Sequence, residues 1–182
     1  MDKKWHVMLD LETLSTEPNA VILSIGAARF DPNEWTVAET FEAHVDLEST
    51  NLKVFDISPN TVNWWMSDDR QEARAYYRRG DKTDLVTALW GFRQWLKDQP
   101  LEGLWGNGAA FDNVILRKAY ELCGEQAPWA FRQDRCFRTL KNLPIIVPEP
   151  ERIEPAHSAL GDAIWQALYA QRVMDRITSA IY

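Results

Sequence analysis

Residues 5–12 alternate between two faces: Val7, Leu9 and Leu11 lie on one, and His6, Met8, Asp10 and Glu12 on the other. A period of two is the pattern of a β-strand. This strand carries two carboxylates, Asp10 and Glu12, at i and i+2, so both point to the same side. Like charges this close cost free energy unless positive charge lies between them. The strand end is therefore either a solvated edge or a mount for a divalent cation. Such a strand also needs a sheet around it. Residues 21–30 (VILSIGAARF) and 40–46 (TFEAHVD) supply two more strands, with the turn residues Asp31-Pro32-Asn33 between them. Three strands with short connections predict an antiparallel meander.

The middle of the chain is helical. Ser58-Pro59 is a helix start with proline at the first position, and residues 60–66 follow. Ser67-Asp68-Asp69 opens a second helix ending near Gly80. A third covers 84–97, with Leu85, Leu89, Phe92 and Leu96 at helical spacing. Residues 101–105 read as a short strand and 107–122 as a helix, with Gly124 at its C-terminus. Residues 144–155 hold four prolines and three acids and read as a surface loop. The last helix starts near Ser158, with Leu160, Ala163, Ile164, Ala167 and Leu168 as its apolar stripe. The order predicts a mixed α/β domain with helices against a sheet, and 182 residues suit a single domain over 1–182.

Charge narrows the function classes. Twenty basic against 27 acidic residues, a net −7, argue against a protein that coats DNA through a basic face. An enzyme that grips a few phosphates through metal ions is compatible with that balance. No apolar run is long enough to span a bilayer, so no membrane partner is expected. Residues 1–6 lead into the strand pattern without an apolar leader. Cys123 and Cys136 fit neither a disulfide framework nor a zinc spacing, and a reducing, cytoplasmic location is the expectation.

Two further segments stand beside Asp10/Glu12. In Trp105-Gly106-Asn107-Gly108-Ala109-Ala110-Phe111-Asp112 a short strand enters a glycine-rich turn and a helix leaves it. Asp112 falls in the first helical turn, where a carboxylate suits the helix dipole, and Asn107 is a candidate cap. In His157-Ser158-Ala159-Leu160-Gly161-Asp162, the aspartate lies about 200° around the helix from Leu160, away from the apolar stripe. His157 and Asp162 would be about 140° apart on one helix. To serve one site, His157 must stand on the loop before it, which Pro155 favours by disfavouring helix at Glu154. Each segment alone also has an ordinary structural reading.

Taken in order, the three segments resemble the DEDD superfamily of 3′→5′ exonucleases in its histidine-containing branch (DEDDh, DnaQ-like). Its pattern is Asp-x-Glu on the first strand, then Asn-Gly-x-x-aromatic-Asp, then His-x-x-x-x-Asp. Thr61-Val62-Asn63-Trp64-Trp65-Met66, the WGNGAAFDN segment and Asp134-Arg135-Cys136-Phe137-Arg138-Thr139 are similar to a smaller group. It holds phage and prophage exonucleases related to the T-even phage exonuclease A, with actinobacterial exoribonucleases as more distant kin. The resemblance covers roughly residues 5–174.

The resemblance implies a ribonuclease H-like fold, a mixed five-stranded sheet flanked by helices. The fifth strand would fall at 136–140 or 145–147. It implies metal-dependent 3′→5′ exonuclease chemistry that releases nucleoside 5′-monophosphates from single-stranded or frayed DNA. Asp10, Glu12, Asp112 and Asp162 would hold two divalent ions, Mg²⁺ or Mn²⁺, and His157 would act as general base. Hard oxygen ligands without thiolates suit those metals. The acidic surroundings of His157 should favour the imidazolium, yet a base must start neutral, so bound metals should matter for its working pKa. Leu11, Thr13, Leu14, Asn107 and Phe111 would meet the terminal nucleotide, Trp65 (or Trp64) would stack on a base, and Arg135 and Arg138 would contact phosphate. Two basic groups stand out: Arg70, Arg74, Arg78 and Arg79, whose helix spacing also fits a merely solvated face, and the run Arg132, Arg135, Arg138 and Lys141. An exoribonuclease or oligoribonuclease is the alternative, and family members also occur as homodimers. A third reading is a non-catalytic nucleic-acid or protein interaction module on the same fold; its mark would be a missing metal ligand, and the four carboxylates and the histidine are all present.

Overall fold

A computed structural model describes residues 5–153 and 156–181. Six strands form one mixed sheet. These are β1 (Trp5–Thr13), β2 (Ile22–Phe30), β3 (Val37–Val45), β4 (Lys82–Thr83), β5 (Leu101–Gly106) and β6 (Asp134–Cys136), in the order β4-β3-β2-β1-β5-β6. The meander β1-β2-β3 is antiparallel, whereas β5 runs parallel to β1 and β6 parallel to β5. The sheet thus has one strand more than the five expected, because the two-residue β4 pairs with the end of β3. It is too short for an alternating pattern to mark it. The strand expected near residue 136 occupies Asp134–Cys136, and a short helix takes the rest of that segment. Residues 145–147 form no strand.

The helices are α1 (Pro59–Met66), α2 (Gln71–Arg79), α3 (Leu85–Lys97), α4 (Asp112–Leu122), α5 (Phe137–Lys141) and α6 (Ala159–Ile181). They cover both faces, so β1 and β2 are buried on both sides. Val7, Leu9, Leu11, Ile25 and Ala27 pack with Leu89 and Phe92 of α3 and Ile115, Leu116 and Tyr120 of α4. Met8, Ala28 and Phe30 pack on the other face with Phe137 of α5 and Ala163, Trp165, Ala167 and Ala170 of α6.

Helix α6 departs from its expected stripe. Ala159, Ala163, Ala167 and Ala170 are fully buried, while Leu160, Ile164 and Leu168 are only half-buried. Small side chains let the helix lie flush on the sheet, and its start meets Gly26 of β2. A Cβ there would lie 2.1–2.3 Å from the backbone of Ala159 and Leu160. Gly26 pairs directly with Asp10, so this contact brings the start of α6 over the carboxylates of β1.

Helix α4 begins at Asp112, not at Asn107. Gly108 adopts φ 116°, a left-handed conformation open to glycine. Phe111 N–H closes the turn onto Gly108 O at 2.7 Å. Asn107 therefore sits in this turn, five residues before the helix, and is not its cap. The segment 144–153 is without regular structure, as a proline-rich loop should be. The expected effect of Pro155 on Glu154 lies outside the described residues.

Gly26→Ala should lower stability by about 1–3 kcal/mol, the usual cost of forcing a methyl into a packed contact. Urea unfolding of the variant reads this directly. Unchanged stability would show that α6 does not bear on β2 this tightly.

Candidate active site and metal centre

A cleft of about 670 Å³ opens where β1 outruns β5. The last β5 residue, Gly106, pairs with Leu9, so residues 10–13 of β1 extend past the end of that neighbour. Leu11 N–H, without a strand to meet on that side, donates to Asp112 Oδ1 at 3.1 Å. The first residue of α4 thus takes the place of the missing strand, and its carboxylate is carried to β1. Gly106 leaves room for it: a Cβ there would lie 2.9 Å from Asp112 Oδ2 and 2.5 Å from Asn113 Oδ1. Buried Asn113 secures the arrangement, with Nδ2 donating to Leu104 O at 3.0 Å and to Asp134 Oδ1 at 2.9 Å. Asp134 also accepts from Arg117 and Trp129, so α4, β5 and β6 are tied at one point.

Asp10 and Glu12 point to the α6 side of β1. Gln166 Nε2 donates to Asp10 Oδ1 at 2.8 Å. Gln166 lies four residues, about one turn, after Asp162, so one helix face presents both. His157 precedes α6, with φ 62°, and its backbone N–H donates to Asp162 Oδ2 at 2.9 Å. Ligand atoms of Glu12, His157 and Asp162 lie within 4.8 Å of one another. Asp162 Oδ1 accepts from the guanidinium of Arg152.

Burial opposes ionisation of three of the cleft's four carboxylates, and neighbouring charge adds to it at Asp10 and Glu12. Burial, and then the charges of Asp112, Glu12 and Asp162, push the Asp10 carboxyl well above the usual carboxylate range. Glu12 is pushed up to about 8 by burial, then by Asp162 and Asp112. Burial pushes Asp112 to about 7 against the hydrogen bond from Leu11. Asp112 Oδ2 and Gln166 Oε1 are buried with no hydrogen-bond partner among the described residues. An all-oxygen set with an orphaned carboxylate oxygen and strained ionisation fits hard divalent cations. For His157 the sequence expectation is reversed. Burial first, then Arg70, lower its pKa, and these outweigh Asp162, so the ring is neutral near pH 7.

The remaining candidates divide. Leu11, Thr13, Asn107, Phe111 and Arg138 line the cleft, and Arg138 donates to Asn107 O at 2.8 Å. Leu14 does not; it packs against the core between β1 and α1. Arg135 is turned out of the cleft, with NH1 donating to Arg132 O and Asp134 O. Its place on β6 at the level of Trp105 was not readable from the run of basic residues. Trp65 lines the floor but is 6% exposed, with Nε1 donating to Thr13 O at 2.8 Å. Trp64 is the exposed neighbour. Arg70 and Arg74 belong to the structure around α1 and not to a solvated face: Arg70 covers the Trp64 ring, and Arg74 bonds Ser67 O at 2.7 Å. Gln166, Asn113 and Arg152 were not singled out, and Lys141 was named only as a member of a basic group; Gln166 had a signal in its one-turn spacing from Asp162.

Because Glu12 holds its proton to about 8 when folded against an ordinary 4.5, the folded chain binds more protons than the unfolded one in that window. Stability of the metal-free protein should fall as pH rises from about 4.5 to about 8. Mn²⁺ should raise the melting temperature more at pH 8 than at pH 5. A melting temperature indifferent to both contradicts the clustering.

The family described as the 3′-5′ exoribonuclease Rv2179c-like domain matches residues 5–174. No curated protein matches the chain significantly by sequence. Among solved structures, E. coli exonuclease I in a zinc-bound complex with single-stranded DNA superimposes with a TM-score of 0.68 at 17% identity, over 97% of this chain and 42% of that one. This chain thus spans less than half of that enzyme. The cell-death related nuclease CRN-4 gives 0.61 at 18% identity over 97% and 64%. The nuclease domain of 3′hExo, a DEDDh family member bound to rAMP, gives 0.60 at 13% identity over 97% and 92%. The sheet and its helices are those of the ribonuclease H-like DEDDh exonucleases, and the chain belongs to the 3′-5′ exoribonuclease Rv2179c-like domain family.

Proposed function

We propose that the chain, as a single domain over 1–182, is a metal-dependent 3′→5′ exonuclease releasing nucleoside 5′-monophosphates from single-stranded ends. The observation that carries this reading is the convergence of Asp10, Glu12, Asp112 and Asp162 with His157 at one strand end. Family membership supports the direction of attack. The family's description favours RNA as the polymer; the likeness to exonuclease I supports DNA as the second reading.

Asp10, Glu12, Asp112 and Asp162 would hold two divalent ions, Mg²⁺ or Mn²⁺. Bound there, such ions supply an activated water and neutralise charge at the leaving oxygen. The His157 ring nitrogen beside Glu12 and Asp162 accepts the proton of the attacking water, and its depressed pKa keeps it neutral and ready. Gln166 orients Asp10 through its Oδ1. Phe111 and Asn107 face the terminal nucleotide, and Arg138 and Lys141, on one side of α5, face the phosphates that follow it. No helix of the described residues is long and apolar enough to cross a membrane. Two free cysteines suit a reducing, cytoplasmic setting. A homodimer rests on the resemblance alone.

The test is digestion of 5′-labelled RNA and DNA oligomers with Mn²⁺, Mg²⁺ or EDTA. Stepwise shortening from the 3′ end, stopped by EDTA and faster on RNA, is expected; internal cuts contradict the reading. Asp10→Asn and Asp162→Asn should each lower the rate by about 10²-fold or more and keep the fold. His157→Ala should lower it by about 10²–10⁴-fold. Full activity in either aspartate variant would remove the assigned metal ligands.

A further inference from the structure

We infer that Trp64 is a positioning residue that fixes the His157 imidazole, and not a platform on which a substrate base stacks. This rests on the reading of His157 as the proton acceptor. His157 sits at φ 62°, a region that costs free energy for any residue with a Cβ. Its backbone is tied to Asp162, but that bond leaves the side-chain torsions free. The ring packs edge-to-face on Trp64, with centroids 5.0 Å apart and planes at 88°. This is a favoured aromatic geometry.

Trp64 is itself held from two other sides. The Arg70 guanidinium lies over the ring, 4.3 Å from its centroid. Trp65 meets it edge-to-face at 5.2 Å and 84°. A stacked base needs an open ring face, and the guanidinium already occupies one. Trp65 in turn is anchored by its indole N–H on Thr13 O. Thr13 ends the strand that carries Asp10 and Glu12. A continuous path therefore runs from β1 through Trp65 and Trp64 to the imidazole, and it references the proton acceptor to the carboxylates it must work beside. Positioning errors near 1 Å cost catalysis about 10²-fold, without requiring weaker substrate binding.

The experiment is steady-state kinetics on a single-stranded RNA oligomer with Mn²⁺, for Trp64→Leu, Trp64→Phe, His157→Ala and the Trp64→Leu/His157→Ala double variant. Trp64→Leu should lower kcat by about 10–100-fold with KM within about twofold, and Trp64→Phe should recover most of kcat. In the His157→Ala background Trp64→Leu should change nothing further, because the two act through one ring. A raised KM with kcat retained, or losses that multiply in the double variant, would overturn the inference in favour of stacking. His157→Ala reports separately on the parent reading. An unchanged kcat there overturns both, whereas a lost kcat there with a normal Trp64→Leu overturns the role of Trp64 alone. Should Trp64→Leu not fold, the carbon-bound ring protons of His157 supply the readout by NMR. Their shifts should move between wild type and Trp64→Phe, and coincident shifts would overturn the contact.

Discussion

Four carboxylates share one cleft, and burial opposes ionising Asp10, Glu12 and Asp112, with neighbouring charge adding to it at the first two. Everything around them works against their natural separation. The start of α6 is pressed onto Gly26, so Asp162 lies over the strand that bears Asp10 and Glu12. Asp112 is bound to a backbone N–H that β5 ends too early to receive. Asn113 and Asp134 lock that helix start to two strands. The packing of both sheet faces supplies the free energy that holds this charge-crowded arrangement. Divalent cations are the occupants that would relieve its electrostatic cost.

The cleft is lined by aromatic, polar and basic side chains drawn from several elements. One wall carries Trp64, Trp65 and the polar residues Ser58, Asn60 and Thr61 around the start of α1; the other carries Arg138 and Lys141 on α5. Lys141 also lies over the Trp165 ring at 4.7 Å, which steadies a long side chain that otherwise swings freely. Further positive charge comes from Arg152, paired with Asp162, and from Arg70 over the Trp64 ring. The net −7 of the chain and a local basic shelf are compatible, because only a few phosphates need contact.

Much of this was legible from residue spacing. The i, i+2 pair on β1 follows from the strand period, and the loop placement of His157 from the helix period once it and Asp162 are taken to serve one site. Gln166 was equally readable, one turn beyond Asp162. Other features depend on contacts between distant segments that no local pattern encodes. The start of α4 is delayed to Asp112 by the left-handed Gly108 turn. Leu14 and Arg135 looked like substrate contacts from their neighbours in sequence, yet core packing claims one and β6 turns the other outward. Between the adjacent tryptophans, packing of Trp65 against Leu23 and Ala73 and its bond to Thr13 decide which is buried. For His157 the acidic surroundings pointed to a raised pKa, whereas the burial and the Arg70 charge that lower it are visible only in three dimensions.

The central claim is that the crowded carboxylates form a divalent-cation site. Crystals soaked in Mn²⁺ and measured at the manganese absorption edge test it most directly. Two anomalous peaks bounded by Asp10, Glu12, Asp112 and Asp162 are expected, and the peaks should vanish in Asp10→Asn. A map without a peak among these four residues, from crystals that diffract and bind Mn²⁺ elsewhere, would contradict it.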